Sequence, residues 1–359
     1  MRNGPHVHVF PDWKDNPYLN LLSLAPTAQG FQFSGRTTYP SLLATLRDLR
    51  RDDTMHFHWT APIVQSAPSR WKALRRVRTL AAELDAAKSR GAHVIWTIHN
   101  RMPHELDHPE AERKLYGVLA DAADVIHIMS PATADVLADI VHLPEDKVLQ
   151  IPHPSYAGVY DTEITRAQAR ESMQLADNEY AVLFLGQVRP YKGIDMLLAA
   201  TAGITRVDGK RPVLLLAGAA SPEAVAQFDD LRPDGLRTVT SFTPVPDEEI
   251  ARWYRAADVA VFPYRAILNS GSVHLAATMH VPVILPGLPH LTEQFREQRW
   301  VRFFDTEHPV DSLRSVLSDQ DFDGLDELDF ERFTAPISPW RVSQRYGDVL
   351  RRLSSTQRA

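Results

Sequence analysis

Short apolar runs of strand length alternate along this chain with longer stretches whose apolar positions recur every three or four residues. In the first half, residues 6–10, 55–59, 93–98, 125–129 and 148–151 read as strands, and 41–50, 70–89, 109–122 and 131–140 as helices. The second half repeats the scheme, with strands at 181–185, 213–217, 237–242, 259–262 and 281–285. Its helices fall at 193–201, 222–231, 247–256 and 273–279, and a last one at 339–352. Strands alternating with helices in this way predict βαβ units and parallel sheets, so the fold class is α/β. Strands apolar at every position are expected to be covered on both faces.

A chain of 359 residues suits two domains. The boundary is expected within 152–177, which holds Pro152, Pro154 and a tyrosine-rich turn at 155–160. The expected organisation is two Rossmann-like domains, 1–155 and 156–335, facing across a cleft, followed by a helical segment 336–359. The acidic stretch that starts at Asp321 reads as a solvated loop, because a metal-binding pair of aspartates belongs at a strand end inside a core domain.

Composition narrows the function classes. With no cysteine, disulfides, thiolate catalysis and cysteine metal sites are excluded, and a reducing cytoplasm is permitted. A net charge of −6 gives no overall attraction to nucleic acid, and no nucleic-acid partner is expected. No apolar run reaches the ~18–20 residues of a membrane span. The opening MRNGPHVHVFPDW lacks a signal-peptide core. A cytoplasmic protein is expected. The absence of G-x-G-x-x-G after an early strand, and of G-x-x-x-x-G-K-[ST], argues against a dehydrogenase and a P-loop ATPase.

The most informative stretch is VLFLGQVRPYKGIDMLLAA, residues 182–200. A buried strand ends at Gly186, a loop carries Arg189 and Lys192, and a helix starts near Gly193. Glycine lets a ligand approach the backbone, arginine offers a planar fork to phosphate oxygens, and lysine a mobile point charge. Both cations lie at the carboxyl end of a parallel strand, where open α/β sheets bind ligands. A second strand-loop-helix unit, residues 258–286, carries Asn269, Ser270, Gly271 and Ser272 at its helix start. Free N–H groups there, with the helix dipole, make an anion site.

The pattern G-x-x-R-x-x-K-G, followed by that loop-helix unit and V-P-V, resembles glycosyltransferase family 4 and its GT-B relatives, most clearly over residues 181–286. The resemblance implies a GT-B enzyme that moves a hexose from a nucleoside-diphosphate sugar, GDP-mannose or a UDP-hexose, to a hydroxyl of a saccharide or lipid-linked acceptor. Arg189 and Lys192 would neutralise the diphosphate without a metal or other cofactor, and Gly186 and the 269–272 turn would hold the donor. The C-terminal domain would bind the nucleotide, the N-terminal domain the acceptor, and the last helix would cross back. The family's two glutamates, eight positions apart, align with Ile267 and Leu275, neither of them acidic. Sugar and ribose contacts are then expected from Asn269, Ser272 or His274, and the stereochemical outcome stays open. The alternatives are a catalytically silent sugar-nucleotide-binding protein and a GT-B sugar-nucleotide epimerase.

Among the N-terminal strand ends, His99 holds the position where the resembled family contacts the donor sugar, with His104 and Glu105 just beyond. Glu105, His99 or Asp12 would act as base in an inverting reaction. His56 and His58 share a strand face and read as a polar wall rather than a metal site, since catalytic zinc needs three convergent ligands. Asp12, Trp13, Asn16 and Tyr18 read as an aromatic, polar loop that suits either a sugar acceptor or buried anchoring of the loop itself. The helix Arg70–Ser89 gathers Arg70, Lys72, Arg75, Arg76 and Arg78 near Trp71 and Leu74, a basic-aromatic face that would support peripheral contact with the inner face of the cell membrane.

Overall fold

The computed structural model describes residues 5–207, 209–319 and 322–355. They divide into two units, the chain up to Pro154 together with Pro339 onward, and Ser155–Ser338.

The first unit holds strands β1 (His6–Phe10), β2 (Gln32–Gly35), β3 (Thr54–Phe57), β4 (His93–Ile98), β5 (Val125–Ile128) and β6 (Val148–Gln150). All pair in parallel, in the order β2-β1-β3-β4-β5-β6. Its helices are α1 (Pro17–Ala28), α2 (Tyr39–Asp48), α3 (Ala61–Val64), α4 (Arg70–Ser89), α5 (Pro109–Ala122) and α6 (Thr133–Leu137). Every residue of β4 is buried, as a central strand covered on both faces requires.

The second unit holds α7 (Arg166–Ser172), β7 (Glu179–Leu185), α8 (Ile194–Thr201), β8 (Arg211–Ala217), α9 (Pro222–Leu231), β9 (Arg237–Ser241) and α10 (Asp247–Ala256). It continues with β10 (Val259–Val261), α11 (Gly271–Thr278), β11 (Val283–Pro286), α12 (Pro289–Phe295), β12 (Val301–Phe304), α13 (Pro309–Asp319) and α14 (Glu327–Thr334). The sheet order is β12-β11-β10-β7-β8-β9, again parallel. The chain runs outward from β7 to β9, then returns to build on the other side of β7. The carboxyl ends of β7 and β10 therefore flank the crevice where such sheets take ligands.

The last helix, α15 (Pro339–Ser355), packs on α1 in the first unit. Val342, Ser343, Tyr346, Val349 and Leu350 form its buried stripe, at helical spacing. Pro26 lies inside α1, where it has no N–H for the carbonyl of Leu22. The buried Ser343 hydroxyl supplies that donor at 2.7 Å and accepts from the Ala25 N–H at 2.7 Å.

Several expectations need correction. Tyr18 is not in a loop: it stands in the first turn of α1, whose N-cap Asn16 accepts from the Tyr18 N–H at 3.1 Å. Helices α12, α13 and α14 and edge strands β2 and β12 belong to stretches to which the sequence pattern assigned no element. Asp321 lies outside the described residues, but much of the acidic stretch after it is not solvated loop. Asp326 and Asp329 form a capping box at the start of α14, and buried Asp329 accepts from Arg299 at 3.1 Å.

Candidate functional site

In the second unit, β7 ends at Gly186, whose φ is +149°. A Cβ there would lie 2.9 Å from Lys192 Nζ, so the missing side chain makes room for the ammonium. Arg189 is exposed and N-caps a single 3-10 turn, Pro190–Lys192. Gly193 follows at φ +70°, and a Cβ on it would fall 2.1 Å from the carbonyl oxygen of Pro263. The loop after β7 therefore lies directly against the loop after β10.

Further bonds fix that contact. The Arg265 N–H donates to the Tyr191 carbonyl at 2.8 Å, and its guanidinium to the Pro190 carbonyl at 2.7 Å. Two Arg265 nitrogens reach the two Asp195 oxygens at 2.9 and 2.5 Å. Partial burial acts to raise the Asp195 carboxyl, but the Arg265 hydrogen bonds and charge outweigh it and hold it below its ordinary value. Lys192 Nζ lies 5.2 Å from the ring centroid of buried Tyr264 and 5.9 Å from that of Phe184. Arg189 lines a cavity of about 740 Å³ with Tyr191, Asp195, Ser221, Phe228 and Arg265.

The loop after β10 carries half-buried Asn269 and leads into α11, with Ser270 as N-cap and Gly271 and Ser272 in the first turn. The Ser270 side chain makes no capping bond. Two histidines pin the loop's carbonyls: His290 Nε2 donates to Ile267 at 2.9 Å, and His274 Nδ1 to Ser270 at 3.0 Å. Burial lowers His274 to about 4, so it is neutral near pH 7 and spends its N–H on Ser270. The loop that carries Lys192 is thus interlaced with Pro263–Arg265, the start of the loop that goes on to the 269–272 turn, at the β7–β10 switch point.

In the first unit, the carboxyl ends of β3 and β4 carry a ring cluster. His58 Nδ1 and His99 Nε2 are 3.0 Å apart, Trp59 stacks on His99 at 4.1 Å, and Tyr18 meets His99 edge-on at 5.1 Å. Below them runs a hydrogen-bond chain whose direction is determined. The Ile151 carbonyl only accepts, so His127 Nε2 donates to it at 2.8 Å. Neutral His127 then accepts at Nδ1 from Thr97 Oγ1 at 3.0 Å. Thr97 in turn accepts from His56 Nε2 at 2.7 Å, and His56 Nδ1 accepts from the Tyr346 hydroxyl at 2.7 Å. Burial lowers His56, His58 and His99 well below their ordinary value, with neighbouring histidines adding to it, and burial lowers His127 to about 4. This wall is neutral, polar and rigid. Among the described residues no group of three His, Asp or Glu side chains is arranged to hold a metal ion.

Glu105 and His104 are exposed on the loop after β4. Asp12 sits against Gly35, where a Cβ would fall 2.1 Å from its own, and pairs with Lys14 at 2.5 Å. The sequence reading missed Trp59, His127, Tyr264, Arg265 and Tyr346. Trp59 carried a usable signal, an aromatic at a strand's carboxyl end, whereas the Arg265–Asp195 and Tyr346–His56 pairs join residues far apart in sequence.

The chain is similar to several known proteins. The family described as Glycosyl transferases group 1 matches residues 179–319. A D-inositol 3-phosphate glycosyltransferase of Nocardioides sp. is 28% identical over 64% of this chain and 54% of its own length. This chain thus spans about half of that relative. A GDP-mannose:glycolipid 4-beta-D-mannosyltransferase of Xanthomonas campestris pv. campestris is 27% identical over 77% of this chain and 71% of its own. Two solved structures share the fold. Sucrose-phosphate synthase from Thermosynechococcus elongatus has a TM-score of 0.69 at 17% identity, covering 98% of this chain and 99% of that one. Anabaena HepE, in complex with UDP and glucose, has a TM-score of 0.70 at 13% identity, covering 97% and 100%. The two parallel sheets are those of the GT-B architecture.

Proposed function

We propose that this chain transfers a hexose from a nucleoside-diphosphate sugar to a hydroxyl of a saccharide or lipid-linked acceptor, a reading supported by the match of residues 179–319 to the Glycosyl transferases group 1 family and by the GT-B fold. One observation carries the reading: the loop bearing Arg189 and Lys192 is laced to the loop leading into α11, at the switch point between β7 and β10. As the C1–O bond of the donor breaks, negative charge builds on the leaving diphosphate. Arg189, Lys192 and the first-turn amides of α11 stabilise that charge from preorganised positions, with no divalent metal. In the first unit, neutral His99 is the candidate to take the acceptor's proton, with Glu105 as the alternative base.

The Xanthomonas relative's name supports GDP-mannose as donor and a glycolipid as acceptor, while HepE's ligands support a UDP-sugar. Peripheral contact with the inner face of the cell membrane would use the exposed side of α4, where Trp71 is 60% exposed beside Lys72, Arg75 and Arg78. No helix among the described residues is long and apolar enough to cross a membrane. A second reading, a catalytically silent sugar-nucleotide binder, is favoured by Ile267 and Leu275 standing where the resembled family has glutamates.

One experiment separates the two. Thermal shift against UDP, GDP and ADP identifies the base, and diphosphate release from the matching sugar nucleotides is then followed with and without an acceptor panel. Acceptor-dependent release that loses on the order of 2–4 kcal/mol of transition-state stabilisation in Arg189→Ala and Lys192→Ala supports transfer. Donor binding without release supports the silent reading. Unchanged release in both variants rejects the site.

A further inference from the structure

We propose that Trp13 is the floor of a subsite for a neutral hexopyranose ring of the acceptor. This rests on the glycosyl-transfer reading above and assigns a part of the acceptor site. In the first unit's sheet the chain order reverses between β1 and β3. The crevice outside the carboxyl ends of those strands is where an open α/β sheet receives a ligand. Trp13 follows β1, Trp59 follows β3 and His99 follows β4, so all three come from that edge.

The three rings form a ladder. Trp59 stacks on His99 at 4.1 Å and 20°, and Trp13 lies 4.6 Å from Trp59 at 32°. Trp13 ends it in water, 39% exposed, whereas Trp96 and Trp300 are wholly buried. The loop beneath Trp13 is closely tied. The Asn16 N–H donates to the Trp13 carbonyl at 2.9 Å, and the Asp12 N–H to the Arg36 carbonyl at 3.0 Å. An exposed indole held by stacking and a bonded turn loses little conformational freedom when a ligand covers it.

The chemistry selects the occupant. A pyranose has one apolar C–H face and a rim of hydroxyls, which suits an aromatic floor with polar groups at its edge. Asp12, next to Trp13 and ion-paired with Lys14 at 2.5 Å, makes a net-neutral polar pair at the edge of the indole that can accept from and donate to hydroxyls. A neutral sugar fits this mixture better than a phosphate does. Two ring spacings, through Trp59, separate Trp13 from His99, and a sugar on the outer face of Trp13 lies one spacing further.

The test is saturation-transfer NMR on the full chain, with cellobiose and mannobiose as probes and irradiation of the protein's aromatic protons. Transfer to ring C–H protons is expected in the wild type. Affinity should weaken roughly three- to tenfold in Trp13→Ala and largely recover in Trp13→Phe. Equal transfer in Trp13→Ala, or none from the wild type to either probe, overturns the subsite. Thermal shift with UDP and GDP runs alongside. Trp13→Ala should keep the wild-type nucleotide response. If no nucleotide stabilises the wild type while sugar binding still depends on Trp13, the transfer reading fails and the subsite stands.

Discussion

Lys192 Nζ lies 5.2 Å from the centre of the Tyr264 ring, across the contact between the loops that follow β7 and β10. The Tyr264 hydroxyl is buried and has no hydrogen-bond partner among the described residues. The ring, rather than the hydroxyl, should therefore position the ammonium. Tyr264→Phe should leave nucleoside-diphosphate affinity unchanged, while Tyr264→Leu should weaken it roughly two- to fivefold by calorimetry. An equal loss in the Phe variant would show that the hydroxyl matters instead.

Gly193 joins the Lys192 turn to α8 at φ +70°, with the Pro263 carbonyl oxygen where a Cβ would be. Gly193→Ala meets both a left-handed backbone and a rigid main-chain atom. It should cost about 2–4 kcal/mol in urea unfolding and push the two loops apart, lowering nucleotide affinity as well. A loss below about 0.5 kcal/mol would mean that the loops yield easily.

Ser343 donates to the Leu22 carbonyl, which Pro26 leaves without its helical donor, and accepts from the Ala25 N–H. Ser343→Ala should strand the Leu22 carbonyl in a dry contact and destabilise the chain by about 1–3 kcal/mol. Restoring a regular helix with Pro26→Ala in the same chain should recover much of that loss. Failure to recover would show that Ser343 acts through packing alone.

His127 titrates at about 4 in the folded chain, against an ordinary value near 6.5, because burial disfavours its charged form. The unfolded chain takes up this proton first as pH falls. The stability contribution is therefore fully present above pH 6.5 and is lost as pH falls through 4. At roughly 1.4 kcal/mol per pH step, the loss from this residue approaches about 3 kcal/mol. Urea unfolding at a series of pH values checks it. Flat stability from pH 7 to 5, or an imidazole NMR signal moving near pH 6.5, would contradict a buried neutral His127.

Much of this fold was legible in the chain. His93–Ile98, Arg70–Ser89, Pro109–Ala122, Pro222–Leu231 and Asp247–Ala256 all fall where periodicity puts them. Each is a mostly apolar strand or a helix with a buried stripe or a proline near its start. Gln32–Gly35 and Val301–Phe304 were missed because both are short edge strands interrupted by polar residues. Pro17–Ala28 was missed because Pro26 argues against a helix until Ser343, far along the chain, is seen to satisfy it. Arg189, Lys192 and Ser270–Gly271–Ser272 stand in the strand-loop-helix settings that the sequence pattern predicts. The Arg265–Asp195 clamp and the Tyr346–His56–Thr97–His127 chain were not legible, because partners so distant in sequence leave no local pattern.

The most direct test of the proposed diphosphate site is isothermal titration of UDP and GDP into the wild type and an Arg189→Ala, Lys192→Ala double variant of equal thermal stability. The account predicts saturable binding of at least one nucleotide by the wild type. It predicts a loss on the order of a hundredfold in the double variant, as expected when two charge-assisted contacts are removed. Equal affinity in the two proteins, or no binding of either nucleotide by the wild type, would contradict it.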